Sequence, residues 1–134
     1  MAEISGGCLC GKVRYSGSVE PLFAGICHCL DCQKFGGSAF SAVVAVPKGA
    51  VTVTGTLKTF TKNGDSGKPI SRWFCPECGS GIMDEAALMP DAVMLNVGTL
   101  DDASWVKPAS QIYCDSAVPW ALLGELPRFA KMPG

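Results

Sequence analysis

Apolar and polar residues alternate with a period of two along much of this chain. That spacing turns one side of an extended segment toward a core and the other toward water. Lys12-Val13-Arg14-Tyr15 alternates in this way. So does the stretch from Val51 to Thr61, through Val51, Val53, Leu57 and Phe60, with Gly55 interrupting it at a bulge or turn. Ser41 to Val46 is short and nearly all apolar, which predicts a buried strand. Ile70 to Phe74, Ala92 to Val97 and Gln111 to Cys114 read as further strands. Helical spacing is weak, with one turn expected over Leu30 to Phe35 and another over Asp84 to Leu88. Turn residues are dense at Pro47-Lys48-Gly49, at Asn63-Gly64-Asp65-Ser66-Gly67 and at Pro108, and 63–68 predicts a surface hairpin tip. The expected fold class is all-β, several short antiparallel strands with loops pinned by metal.

The bulk composition narrows the setting. At 134 residues the chain is expected to form a single domain over 1–134, large enough to bury its own core. Hydrophobic residues make up 48% and charged residues 17%, which opposes disorder. A formal charge of −1 and the absence of a basic run give no electrostatic reason to expect nucleic acid as a partner. No run approaches the ~20 apolar residues of a membrane span. Met1-Ala2-Glu3-Ile4 carries no basic region followed by an apolar stretch, so no export signal is read and the expected location is cytoplasmic. Cysteines there stay reduced, and clustered ones read as metal ligands rather than disulfides.

Seven of the eight cysteines fall into three clusters: Cys8-Leu9-Cys10, Cys27-His28-Cys29-Leu30-Asp31-Cys32 and Cys75-Pro76-Glu77-Cys78. Thiolates one to three residues apart suit a soft tetrahedral ion such as zinc, and bridge each other poorly as disulfides. Two clusters supply two sulfurs and one supplies three. The economical arrangement closes one four-thiolate structural zinc site from Cys8, Cys10, Cys75 and Cys78, far apart in sequence. Gly7, Gly11 and Gly79 flank these pairs and let the backbone turn tightly around sulfur. A redox dithiol at Cys75 and Cys78 is opposed by Gly79-Ser80-Gly81-Ile82, which reads as turn and strand where such a motif needs a helix.

Cys27, Cys29 and Cys32 then hold a second zinc with one open corner, giving two zinc ions per chain. Three thiolates leave zinc with a formal negative charge, which weakens it as a Lewis acid and suits it to a soft thiol ligand. These three cysteines are the candidate catalytic residues, and the expected partner is a small-molecule thiol such as glutathione. His28 competes for the open corner, but it alternates with Cys27 and Cys29 and on an extended backbone points away from them, toward a supporting or surface role. Cys114 competes for the open corner of this site, or is a small apolar filler. Asp31 is placed to accept a hydrogen bond near the trio, or to sit solvated in its loop. Gly36 and Gly37 would let a ligand approach the backbone. Lys34 and Arg72 are the basic residues nearest the clusters, ordinary surface cations or partners for a ligand carboxylate. Trp73, Trp105 and Trp120 read as core.

Three runs carry a resemblance: Gly6-Gly7-Cys8-Leu9-Cys10-Gly11-Lys12-Val13-Arg14-Tyr15, then Cys27 to Cys32, then Phe74-Cys75-Pro76-Glu77-Cys78-Gly79. Together with Asn96 to Asp102, Ile112-Tyr113 and Pro119-Trp120 they resemble the glutathione-dependent formaldehyde-activating enzyme family, which includes the centromere protein V domain. The resemblance implies an Mss4-like β-tent of antiparallel sheets. It implies a structural zinc on Cys8, Cys10, Cys75 and Cys78 and a catalytic zinc on Cys27, Cys29 and Cys32. It also implies condensation of formaldehyde with glutathione to S-hydroxymethylglutathione, a carbon–sulfur lyase activity. The alternative is a zinc module that binds a protein or carries a thiol without turning it over, since one fold hosts many functions.

Overall fold

The computed structural model describes residues 2–133 as two sheets and a short helix. The first sheet has three strands in the order β1-β2-β5: β1 (Ala2–Gly7), β2 (Arg14–Val19) and β5 (Thr52–Thr54). The second contains β3 (Phe23–Cys27), β4 (Ser41–Pro47), β6 (Lys58–Asn63), β7 (Pro69–Phe74), β8 (Gly81–Ala86), β9 (Ala92–Asn96) and β10 (Gln111–Ile112). Its order is β10-β3-β4-β9-β8-β7-β6, antiparallel throughout except where β10 runs parallel to β3. The helix α1 spans Leu30–Gly36. The fold is all-β, two sheets leaning on one core, as the tent implied by the resemblance requires.

Alternation decides which face each side chain takes. Ile4 and Tyr15 from the small sheet meet Val44, Val46, Ile82 and Leu95 from the large one, all at most 2% exposed. The apolar run of β4 follows from burial on both faces: Val44 and Val46 enter this core, while Ala45 packs with Ala92 and Met94 on the opposite side.

The alternating stretch from Val51 to Thr61 is not one strand. It breaks at Gly55 into β5 and β6, which lie in different sheets. Gly55 has φ +96°, and a β-carbon there would stand 2.1 Å from the Lys12 carbonyl oxygen, so the switch demands glycine. The helical turn expected at Asp84 to Leu88 is a correction: Asp84 to Ala86 continue β8, because pairing with β7 on one side and β9 on the other outweighs a weak local preference. The strand expected from Gln111 to Cys114 stops at Ile112, and Cys114–Ser116 form a tight helical turn. The turn expected at Leu30 to Phe35 is α1, closed by Gly37 at φ +67°. The hairpin expected over 63–68 joins β6 to β7.

Trp73 and Trp105 pack against the core, as read from the sequence. Trp120 is a correction: it is 79% exposed, because its turn (Pro119–Ala121) buries Ala121 instead.

Candidate metal and thiol centre

Sulfur geometry follows from two tight turns. In the first, the Gly11 amide donates to the Cys8 carbonyl at 3.1 Å and the Val13 amide donates to Cys8 Sγ at 3.2 Å. In the second, the Gly79 amide donates to the Cys75 carbonyl at 2.8 Å, with Gly79 at φ +78°. The two knuckles meet: the sulfurs of Cys8, Cys10, Cys75 and Cys78 lie within 4.8 Å of one another. Cys8 and Cys10 are separated by 3.5 Å and Cys10 and Cys75 by 3.8 Å. Four sulfurs at about 2.3 Å from a tetrahedral zinc stand roughly 3.8 Å apart, so the spacing fits that ion. Ser80 joins the knuckles, its hydroxyl accepting from the Leu9 amide at 3.0 Å and lying 3.3 Å from Cys78 Sγ. That hydroxyl and the Ser80 amide draw the Cys78 thiol down to about 5, toward the thiolate a metal needs. Cys8 and Cys75 belong to the main core, so the cluster clips the edge of the packed region.

The trio is built differently. Cys27 ends β3, Cys29 caps α1 and Cys32 lies in its first turn. Cys29 Sγ accepts the Cys32 amide at 3.2 Å, sulfur standing where an oxygen usually caps a helix. The three sulfurs lie within 4.8 Å of one another, and no His, Asp, Glu or further Cys joins them as a fourth among the described residues. Crowding splits their acidity. Hydrogen bonds from Cys27 and Cys32 draw Cys29 far down, while the same contacts push Cys27 far up. A bound divalent cation removes this conflict, because all three can then be thiolates. Both clusters therefore fit a soft tetrahedral metal.

The surroundings of the trio are largely polar. Strand registers place Cys27, Ser41, Asn96, Asp84, Arg72 and Lys62 on one face of the large sheet. The helix α1 lies over that face: Phe35 packs on Gly81, and Asp31 accepts two bonds from Lys62 Nζ at 2.9 and 3.1 Å. Arg72 and Asp84 are 5% and 8% exposed and sit opposite each other on β7 and β8. Arg72 Nε and Asp84 Oδ1 have no hydrogen-bond partner, a state that water or a ligand ordinarily relieves. Burial pushes the Asp84 carboxyl up to about 6, against the pull of Arg72.

Several expectations fall into place here. His28 does point away from the sulfurs, but it is fully buried rather than at the surface. Its Nε2 lies 2.9 Å from Gln111 Oε1, and its ring meets that of Phe40 at 5.6 Å in a tilted arrangement. Gln111 Nε2 donates to the Leu123 and Leu126 carbonyls at 2.6 and 3.3 Å, so Oε1 is the acceptor and His28 Nε2 carries its proton. Cys114 is half-buried, with its thiol on the Gln111 carbonyl at 3.6 Å, apart from the trio. Lys34 is exposed in the last turn of α1, whereas Arg72 is not a surface cation. Gly36 and Gly37 end α1, Gly37 as its left-handed cap. Sequence reasoning missed Asp84, Gln111 and the setting of Tyr113. None of the three carried a local signal of its setting, and Asp84 lay in a stretch expected to be helical.

Residues 3–116 match the family described as glutathione-dependent formaldehyde-activating enzyme. The chain belongs to this family. A curated protein of Emericella nidulans, provisionally named a glutathione-dependent formaldehyde-activating enzyme, is 36% identical over 72 residues. The matched stretch is 54% of this chain and 36% of that protein. A crystal structure of a Rhodobacter sphaeroides protein shares the fold at a TM-score of 0.60 and 24% identity, covering 92% of this chain and 98% of that one. No helix among the described residues is long and apolar enough to cross a membrane.

Proposed function

We propose that this chain is a zinc-dependent carbon–sulfur lyase that joins glutathione to a small electrophile, formaldehyde in the family's namesake reaction, or cleaves such an adduct. The observation that carries the reading is the contrast between the two sulfur clusters, one with four sulfurs and one with three. In this reading Cys8, Cys10, Cys75 and Cys78 hold a structural zinc. Cys27, Cys29 and Cys32 hold the reactive one. Zinc held by the three thiolates would offer a fourth position to a soft donor and lower the pKa of a thiol placed there.

The chain's own residues orient and shield. The cap on α1 holds Cys29 and Cys32 in one register, and the buried Gln111–His28 bond fixes the loop between Cys27 and Cys29. The buried Arg72 guanidinium acts on the Cys29 charge and balances a negatively charged centre. Thiols add to formaldehyde readily in water, so the gain from the protein lies in bringing two dilute reactants together in one orientation. Glutathione loses its thiol proton, sulfur bonds to the carbonyl carbon, and the carbonyl oxygen gains a proton.

Cys29→Ser tests the reading. Adduct formation above the solution rate is expected in the parent and is expected to vanish in the variant, with the fold retained by circular dichroism. A variant that turns over at the parental rate would leave a non-catalytic zinc module instead.

A further inference from the structure

Tyr113 is the one non-glycine residue among those described with a positive φ, at φ 54° and ψ 39°. A residue with a β-carbon is held there only when its surroundings over-determine it, and such residues gather at functional sites. The surroundings do over-determine it. The Tyr113 amide donates to the Lys131 carbonyl at 3.1 Å, and its carbonyl accepts the Ser116 amide at 3.0 Å. The Ser116 carbonyl in turn accepts Gln33 Nε2 of α1 at 3.1 Å, and the same Nε2 donates to the His28 carbonyl at 2.7 Å. Tyr113 is therefore tied to both the loop and the helix that carry the trio.

Its backbone follows directly on the strand that pairs with Cys27. Ile112 pairs with Cys27 across β10 and β3, and its carbonyl accepts the His28 amide at 3.0 Å. The left-handed turn comes at the next residue, and turns Tyr113 off the strand end. The hydroxyl reaches Asp65 Oδ2, in the turn between β6 and β7, at 3.5 Å. That contact spans from one edge of the seven-stranded sheet to the turn beyond the other. A phenol hydroxyl on a long and exposed bond to a carboxylate is a donor with little to hold it.

We propose that the Tyr113 hydroxyl is the acid that binds and protonates the carbonyl oxygen of the electrophile as sulfur adds to its carbon. This rests on the carbon–sulfur reading above. The C–S bond forms from the thiolate pair, and the carbonyl π pair moves onto oxygen. The phenol proton passes to that oxygen. The proton shed earlier by the thiol has gone to water, and water restores the phenol. Thiol and aldehyde become the hydroxymethyl thioether with no other reagent.

The chain has two tyrosines, so ring-labelled protein gives two 13Cζ signals. Tyr15 is the internal control, buried in the other sheet with its hydroxyl 2.7 Å from Thr99 Oγ1. With glutathione and formaldehyde added, the Tyr113 signal is expected to shift and the Tyr15 signal to stay. Tyr113→Phe keeps the ring and is expected to slow adduct formation by about 10²-fold, within the range of general acid catalysis. Its metal content, melting temperature and KM for glutathione are expected to match the parent. A Phe variant as fast as an active parent, or a Tyr113 signal that does not respond in an active parent, would overturn the role of Tyr113 and leave the carbon–sulfur reading standing. A parent no faster than solution, with Tyr113 unmoved, would sink both.

Discussion

Asp84 carries the clearest single-residue consequence. Its carboxyl is raised to about 6 by burial, with the Cys29 charge adding to that and Arg72 opposing it. A carboxyl that binds its proton more tightly in the folded state loses stability on ionising. The penalty is absent below the unfolded value near 3.9, grows through the window up to about 6, and is complete above it. Asp84→Asn removes this dependence. Relative to the parent, the variant is expected to gain about 1–2 kcal/mol between pH 5 and pH 8. Urea unfolding at the two pH values checks it, and a constant gap between the proteins would contradict the burial argument. None of this was legible in the sequence, where Asp84 sat in a stretch expected to be helical. The face it occupies is decided by its pairing opposite Arg72 and Met94.

At the scale of elements, turns do more than strands to set the architecture. Gly55 sends the chain from the three-stranded sheet to the edge of the seven-stranded one. Gly55→Ala would place a β-carbon 2.1 Å from a backbone oxygen at φ +96°, where neither partner can yield cheaply. A loss of at least about 3 kcal/mol in unfolding free energy is expected, combining backbone strain and steric conflict. Alanine at Gly67 is the comparison. It shares a positive φ of +82° but meets nothing within 4 Å, so its loss is expected to be about 1 kcal/mol. Similar losses at both positions would show that the close approach is unimportant. The sequence marked Gly55 as an interruption, yet alternation on either side of it read as continuous, because period two does not record which sheet a strand joins.

For the whole molecule, two sulfur clusters in different settings predict two metals held differently. The four-sulfur cluster ties the ends of a long chain segment into the core through Cys8 and Cys75. The trio is local, supplied by the end of one strand and one helix. Elemental analysis is expected to give two zinc ions per chain. A chelator titration is expected to release one before any loss of β-sheet signal, and the second together with unfolding. Release of both ions with no change in melting would refute a structural role for the four-sulfur site.

The sequence by itself determined the sulfur groupings, the turn at α1, the hairpin tip at 63–68 and the doubly buried strand at Ser41 to Val46. Each is a short-range property, written in spacings of a few residues that covalent geometry turns directly into position. Only the tertiary structure decided that Arg72 and Asp84 are buried, that Trp120 is exposed and that His28 is held by Gln111. It alone decided that Tyr113 is wound into a left-handed turn beside Cys27. Those outcomes depend on register and on contacts with residues dozens of positions away, and a local pattern of apolar and polar residues carries no record of them.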